Sequence, residues 1–382
     1  MKEGNSQWRP SFVVTSLILR FLCVCVNARS ATVFLNSSMI NHEEYAELAN
    51  RIHYNELRRL ERVSSLMKTQ SGSYPNILLI VADDLGTGDV PGYFDDDPTY
   101  ATKVNMPHLR KMVKNGVTFT DAHSSPLCAP SRYMLLSGNY PHRGRRPYGT
   151  WALGSSQNQF RRRQRSIAQA LQRKQVRYDT AMMGKWHMGG KIMPDGLIGN
   201  QHVMLSNPDH NWSQPFEGGP QDIGFDTSFI SDKGVQGAPY AFFRNGILNL
   251  RNGIKYWKRR EYEMPMGISK IPKAGEGDGE WDSSAYNMLL VNETANFLDE
   301  HMDPKNGRNN DPFFAYVALG AVHIPHSPPY YFQVNDGDNT LQPVAGEYPV
   351  PFMVSAMIDS EFHRSYQPMQ FKRSSAHSPL LS

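Results

Sequence analysis

Residues 76–84 read Asn76-Ile77-Leu78-Leu79-Ile80-Val81-Ala82-Asp83-Asp84. An unbroken apolar, β-branched run closes on two carboxylates. Without polar alternation, such a run suits a strand buried on both faces, as in a parallel sheet covered by helices. Ligands of open α/β sheets collect at the carboxyl ends of strands. Asp83 and Asp84 are therefore candidate site residues. Adjacent carboxylates repel unless a cation holds them together, and hard oxygen donors suit Ca²⁺ or Mg²⁺. A solvated Asp-Asp-Leu-Gly turn is the simpler reading while the stretch stands alone.

Outward from this strand, the pattern alternates. A short helix is predicted at 106–113, a strand at 117–119, and a helix at 131–138 just after Cys128. Residues 166–172 read as a helix, and 178–183 as a strand entering Gly184-Lys185-Trp186-His187. The Gly- and Pro-rich middle, roughly 190–280, reads as loops and insertions. A helix at 284–300 then leads into a buried strand at 312–319. No internal repeat is visible. The predicted class is α/β, a mostly parallel or mixed central sheet with helices on both faces.

The 382 residues are 40% hydrophobic and 20% charged, as expected of a globular protein. A net charge of +4, left from 40 basic and 36 acidic side chains, is too weak to imply nucleic acid. Residues 12–26 form an apolar run behind Lys2 and Arg9, followed by small residues. This is the layout of a signal peptide, placed at 1–30, and it predicts secretion or an endomembrane lumen. The run is short of the ~20 residues of a comfortable span, so no stable membrane span is expected. Residues 31–74 read as an amphipathic helical arm. Asn36, Asn211 and Asn292 begin glycosylation sequons that fit the same route. The basic runs 161–165 and 258–260 read as solvated loops, or as attraction to a polyanionic substrate.

The cysteines are Cys23, Cys25 and Cys128. Removal of the leader leaves one thiol and no internal disulfide. On a secretory route such a thiol is either buried and inert or chemically employed. Cys128 stands in Ser124-Ser125-Pro126-Leu127-Cys128-Ala129-Pro130-Ser131-Arg132, followed by Ser137-Gly138-Asn139-Tyr140-Pro141-His142-Arg143. Further along come Tyr178-Asp179-Thr180, then Gly184-Lys185-Trp186-His187, and finally Ala321-Val322-His323-Ile324-Pro325-His326.

These blocks, in this order after Asp83-Asp84, resemble the type I sulfatases. Arg177 stands where that family's second signature has glycine. The resemblance implies the alkaline-phosphatase-like sulfatase fold and hydrolysis of sulfate esters. It implies that Cys128 is oxidised to formylglycine by the formylglycine-generating enzyme, and that its hydrate is the nucleophile. Asp83, Asp84 and the modified Cys128 would hold Ca²⁺, with Mg²⁺ as an alternative. Arg132 and Lys185 would stabilise charge, His323 would protonate the leaving alcohol, and His187 would act as base. The substrate class is a sulfated small molecule or carbohydrate, and the tryptophans at 151, 186, 212 and 257 offer either ring stacking or ordinary packing.

The resemblance is incomplete. Beyond His326 there is no further strand ending in Asp-Asn/His-Gly and no matching lysine. The sequence alone therefore predicts an incomplete catalytic domain over 75–359 and a disordered tail over 360–382. Two alternatives follow: a catalytically inactive sulfatase-like chain, and a phosphate or phosphonate ester hydrolase of the same superfamily.

Overall fold

A computed structural model describes residues 74–90, 92–93, 106–147, 149–154, 157–172, 177–192, 203–259, 271–306 and 311–327, and the backbone of 331–333 and 341–343. The predicted leader and tail, and the helical arm up to residue 73, lie outside these residues, as does Asn36.

The opening apolar run forms β1 (Ile77–Asp83). It pairs in parallel with β10 (Phe313–Val322), which pairs in parallel with β3 (Asp179–Lys185), and β3 with β5 (Thr227–Ser231). Beyond β5 the sheet continues antiparallel through β6 (Phe242–Arg244) and β7 (Ile247–Asn249), giving the order β1-β10-β3-β5-β6-β7. Short pairs lie outside it. β2 (Trp151–Leu153) runs parallel to β4 (Met188–Gly190), and β8 (Ile254–Trp257) antiparallel to β9 (Gly275–Asp278). β11 (Tyr331–Gln333) and β12 (Leu341–Pro343) form a last antiparallel pair.

Strand alternation divides the core between the two faces. On one side Leu79, Met182, Ile230, Phe314 and Tyr316 pack against α2 (Cys128–Ser137) and α3 (Ile167–Leu171), whose Tyr133, Leu136 and Ala168 are buried. On the other, Leu78, Met183, Phe229, Ala315 and Val317 meet α4 (Tyr286–Met302) through Tyr286, Leu290, Phe297 and Leu298. With the buried Thr294 and His301, α4 positions 286, 290, 294, 297 and 301 recur every three to four residues, one face of a helix. Each large apolar side chain so buried is worth about 1.5–3 kcal/mol. The expected two-sided α/β architecture is thus present. α1 (Pro107–Asn115) carries a proline in its first turn, where the missing N–H costs nothing.

Two local devices set the frame of the site. Ser166 caps α3 with a reciprocal capping box to Gln169. Gly184, near the end of β3, has φ 100°, and a Cβ there would lie 2.0 Å from the carbonyl oxygen of Ala318. Only glycine lets β3 and β10 approach so closely at that point.

Several expectations need correction. Val117-Thr118-Phe119 is an exposed loop and not a strand: Val117 is 81% exposed, so its β-branched residues find no face to pack against. The middle segment is not merely loops, because β5 to β9 lie within it. Trp151 and Trp186 are core residues, 1% and 0% exposed, and offer no platform for a ring. The helix after the cysteine begins on Cys128 itself.

Candidate active site

β1, β3 and β10 run the same way, so their carboxyl ends deliver Asp83, Lys185 and His323 to one edge of the sheet. The N-terminus of α2 brings Cys128 to the same edge. Leu127, the N-cap, makes no side-chain cap, so first-turn N–H groups remain for an anion.

Asp83 is buried between two cations. Its Oδ2 accepts a 2.5 Å bond from Lys185 Nζ, and its Oδ1 lies 3.4 Å from Arg132 Nη2. Burial alone would raise this carboxyl, but Arg132 and then Lys185 hold it below its ordinary 3.8. Arg132 Nη1 donates to the Lys185 carbonyl at 3.1 Å and meets the Tyr316 hydroxyl at 3.5 Å. The buried Nε of Arg132 has no hydrogen-bond partner. Lys185 Nζ also donates to Gln236 Oε1 at 3.1 Å.

Cys128 Sγ lies 3.1 Å from Nδ1 of His187. Lys185 and His187 are two positions apart, a spacing that on an extended segment points both side chains the same way. The strand instead ends at Lys185, and His187 takes a left-handed φ of 50°. Bonds to the end of β5 hold this turn: Trp186 N donates to the Ser231 carbonyl and His187 N to the Asp232 carbonyl, both at 2.8 Å. Burial, with Lys185 and Arg132 nearby, lowers the His187 pKa well below 6.5. The ring is therefore neutral near neutral pH and has a lone pair for a proton.

Asp84 and His323 form the outer side. Asp84, at φ 63°, turns its carboxylate outward, and Oδ2 lies 3.4 Å from His323 Nε2. His323 Nδ1 lies 2.6 Å from the Ile324 carbonyl, a contact in which the ring donates. All seven candidates from the sequence thus reach one place, in two environments.

The donor set fits a hard divalent cation only in part. Asp83 and Asp84 offer oxygens, but the thiol of Cys128 is a soft ligand, and Ca²⁺ takes about 6–8 oxygens. Among the described residues no three His, Cys, Asp or Glu side chains converge as a metal site.

Some residues of the site carried no sequence signal. Tyr316 and Gln236 sit on Arg132 and Lys185 only because β10 and a 3₁₀ turn pass beside them. Asp232 is fully buried; Oδ1 accepts from Leu153 N at 2.9 Å, while Oδ2 has no hydrogen bond and lies 3.9 Å from Lys233 Nζ. Burial raises its pKa. Of the sequons, Asn211 is exposed in a loop where Ser213 N and Oγ donate to its side-chain oxygen. Asn292 is exposed on α4, but the hydroxyl of its Thr294 is buried against the Leu290 carbonyl at 2.7 Å. No helix among the described residues is long and apolar enough to cross a membrane.

Comparison with known proteins bears on the same residues. The chain is 27% identical over 300 residues to an N-acetylgalactosamine-6-O-sulfatase of Bacteroides thetaiotaomicron, covering 71% of this chain and 52% of that protein. It is 33% identical over 306 residues to human arylsulfatase D, covering 68% and 46%. A solved structure from work on glycosaminoglycan metabolism by Bacteroides thetaiotaomicron aligns with TM-score 0.47 and 26% identity, over 66% of this chain and 52% of that one. The chain spans about half the length of these relatives. The sulfatase family model matches residues 75–366, which takes in every candidate described above. With well over half of its length matched, the chain belongs to the sulfatase family.

Proposed function

We propose that this site hydrolyses a sulfate ester of a small molecule or carbohydrate to an alcohol and sulfate. Cys128 is the residue that becomes formylglycine, formed in the endoplasmic reticulum by the formylglycine-generating enzyme. The observation that carries the reading is Cys128 at the first turn of α2, with Sγ 3.1 Å from the neutral His187 and two buried cations beside it. Formylglycine would supply a hydrated aldehyde, an oxygen nucleophile that splits one difficult displacement into two easier steps.

The chain's own residues do the rest. Lys185 and Arg132 offset the charge of the sulfate group, and a guanidinium fixed from several sides is suited to directed bonds. His323, on the solvent side, holds a proton at Nε2 for the departing alcohol oxygen. His187 accepts a proton at Nδ1 from the hydroxyl of residue 128 when sulfate is released. A divalent cation, Ca²⁺ or Mg²⁺, held by Asp83, Asp84 and residue 128, would neutralise further sulfate charge. Entry by a signal peptide would bring the chain to the modifying enzyme, and Asn211 is the best-presented sequon of the described residues.

Replacing Cys128 by alanine should abolish turnover of an aryl sulfate by the full chain. Mass spectrometry of the native peptide should find the aldehyde in place of the thiol. Undiminished turnover by the alanine variant would overturn the proposal.

A further inference from the structure

Arg143-Gly144-Arg145-Arg146 and Arg161-Arg162-Arg163-Gln164-Arg165 lie about fifteen positions apart in sequence, yet they form one surface. Gln164 joins them. Its Oε1 accepts from Arg161 N and from the Tyr133 hydroxyl, both at 2.9 Å, and its Nε2 donates to the Arg143 carbonyl at 3.0 Å. Arg145 N donates to the Gln159 carbonyl at 3.1 Å, and Arg161 Nε to the Gly144 carbonyl at 3.0 Å. Apart from the half-buried Arg143, the arginines of both segments are exposed.

Arg132, Arg244 and Arg251 each face a carboxylate. Among the described residues, Arg145, Arg161, Arg162, Arg163 and Arg165 form no ion pair. Solvated loops are the ordinary use of basic runs, but two such runs braced together concentrate like charge on one surface. Their brace, Tyr133, is on α2, the helix that begins with Cys128. Tyr133 stands five residues along α2 from the candidate nucleophile, a rise of about 7.5 Å on the helix axis.

We propose that this arginine face docks a linear sulfated polysaccharide, so that one sulfate reaches residue 128 while others of the same chain lie on the guanidinium groups. The assignment rests on the sulfate-ester reading of the site. Guanidinium forks match the flat arrays of oxygens on sulfate and bind them in directed pairs. A repeating polyanion can engage both places together, which raises its effective concentration at the second. Nucleic acid and phospholipid membrane share the charge, but their esters are phosphate esters and neither presents a sulfate ester to residue 128.

The test uses the full chain carrying Cys128→Ala, with dextran sulfate as probe, unsulfated dextran as control, and duplex DNA and phosphatidylserine vesicles as competitors. Dextran sulfate should bind and dextran should not, with affinity falling as salt rises. Adding R145Q, R162Q and R163Q should weaken binding at least tenfold and flatten the salt dependence. Arg161 is left intact because it bonds Gly144. In the chain with Cys128 present, the same three substitutions should raise KM for a sulfated polysaccharide and leave small aryl sulfate turnover within twofold.

Equal binding by the triple variant, or displacement by DNA or vesicles at equal or lower concentration, would overturn the docking surface. A charge reversal, R162E with R163E, gives a second variant, and binding retained by that folded variant would also overturn it. Failure of the chain with all its arginines intact to bind dextran sulfate, while aryl sulfate is still turned over, sinks only this proposal. Absent turnover with docking intact sinks only the catalytic reading.

Discussion

Asp83 and Asp84 are chemically identical neighbours, and the edge of the sheet makes them opposites. Asp83 is 4% exposed and stands between Lys185 and Arg132, with Cys128 and His187 on the same inner wall. Asp84 turns out through a left-handed backbone to meet His323 at an exposed rim, where Ile324 is 60% exposed. The wall fixes charge permanently, because Asp83, Lys185 and Arg132 are buried against one another. The rim holds groups that water can reach, so protons and substrate can come and go. This division suits a reaction that needs standing charge on one side and proton delivery on the other.

The comparison breaks first at Asp83. Asp83→Asn leaves two buried cations without their carboxylate and should cost about 3–5 kcal/mol, read by urea unfolding in chelator. Its pH dependence has a fixed sign. The folded carboxyl lies below 3.8, so its stabilisation is full above that value and is lost as pH falls through the folded value. The gap between native protein and variant should thus hold at neutral pH and shrink only in acid. A gap that closes while pH is still near neutral would contradict the wall.

A smaller loss is expected at the joint that sets the wall. Gly184→Ala forces a Cβ against the Ala318 carbonyl at φ 100°, and the backbone conformation alone should cost about 1–3 kcal/mol. Unchanged stability would mean that β3 and β10 can move apart there. The smallest effect on stability belongs to the rim. Asp84→Asn keeps a residue that tolerates the left-handed region and should leave stability within about 0.5 kcal/mol. Aryl sulfate turnover should nevertheless fall. A large loss of stability at Asp84, with none at Asp83, would invert the comparison.

Much of this was legible in the residues. Unbroken apolar runs at 77–82 and 313–319 gave parallel strands, the second buried throughout and the first, at the end of the strand order, only partly buried. The sulfatase-like blocks each sit at the end of an element, so Asp83, Cys128, Lys185 and His323 could be expected together. β5 was missed because Thr227 to Ser231 is short and carries serines, and its hydroxyls are satisfied only by neighbours such as Tyr286 on α4. Val117-Thr118-Phe119 was over-read for the converse reason: strand-forming residues were present, but no surface was there to receive them. Glycine at 184 was visible as a letter, yet its necessity depends on the carbonyl of Ala318, far away in sequence.

By itself the sequence determined the two-sided sheet, the order of the site blocks and the identity of the candidate groups. Those follow from local apolar pattern and from residue types at fixed spacing, which exist before folding. The tertiary structure alone decided which carboxylate is walled in by cations and which faces solvent, and that His187 faces Cys128 from a left-handed turn. It alone joined two arginine runs into one face through Gln164 and Tyr133. Burial, charge balance and reach are properties of distances between residues, and only the packed sheet and its helices set those distances.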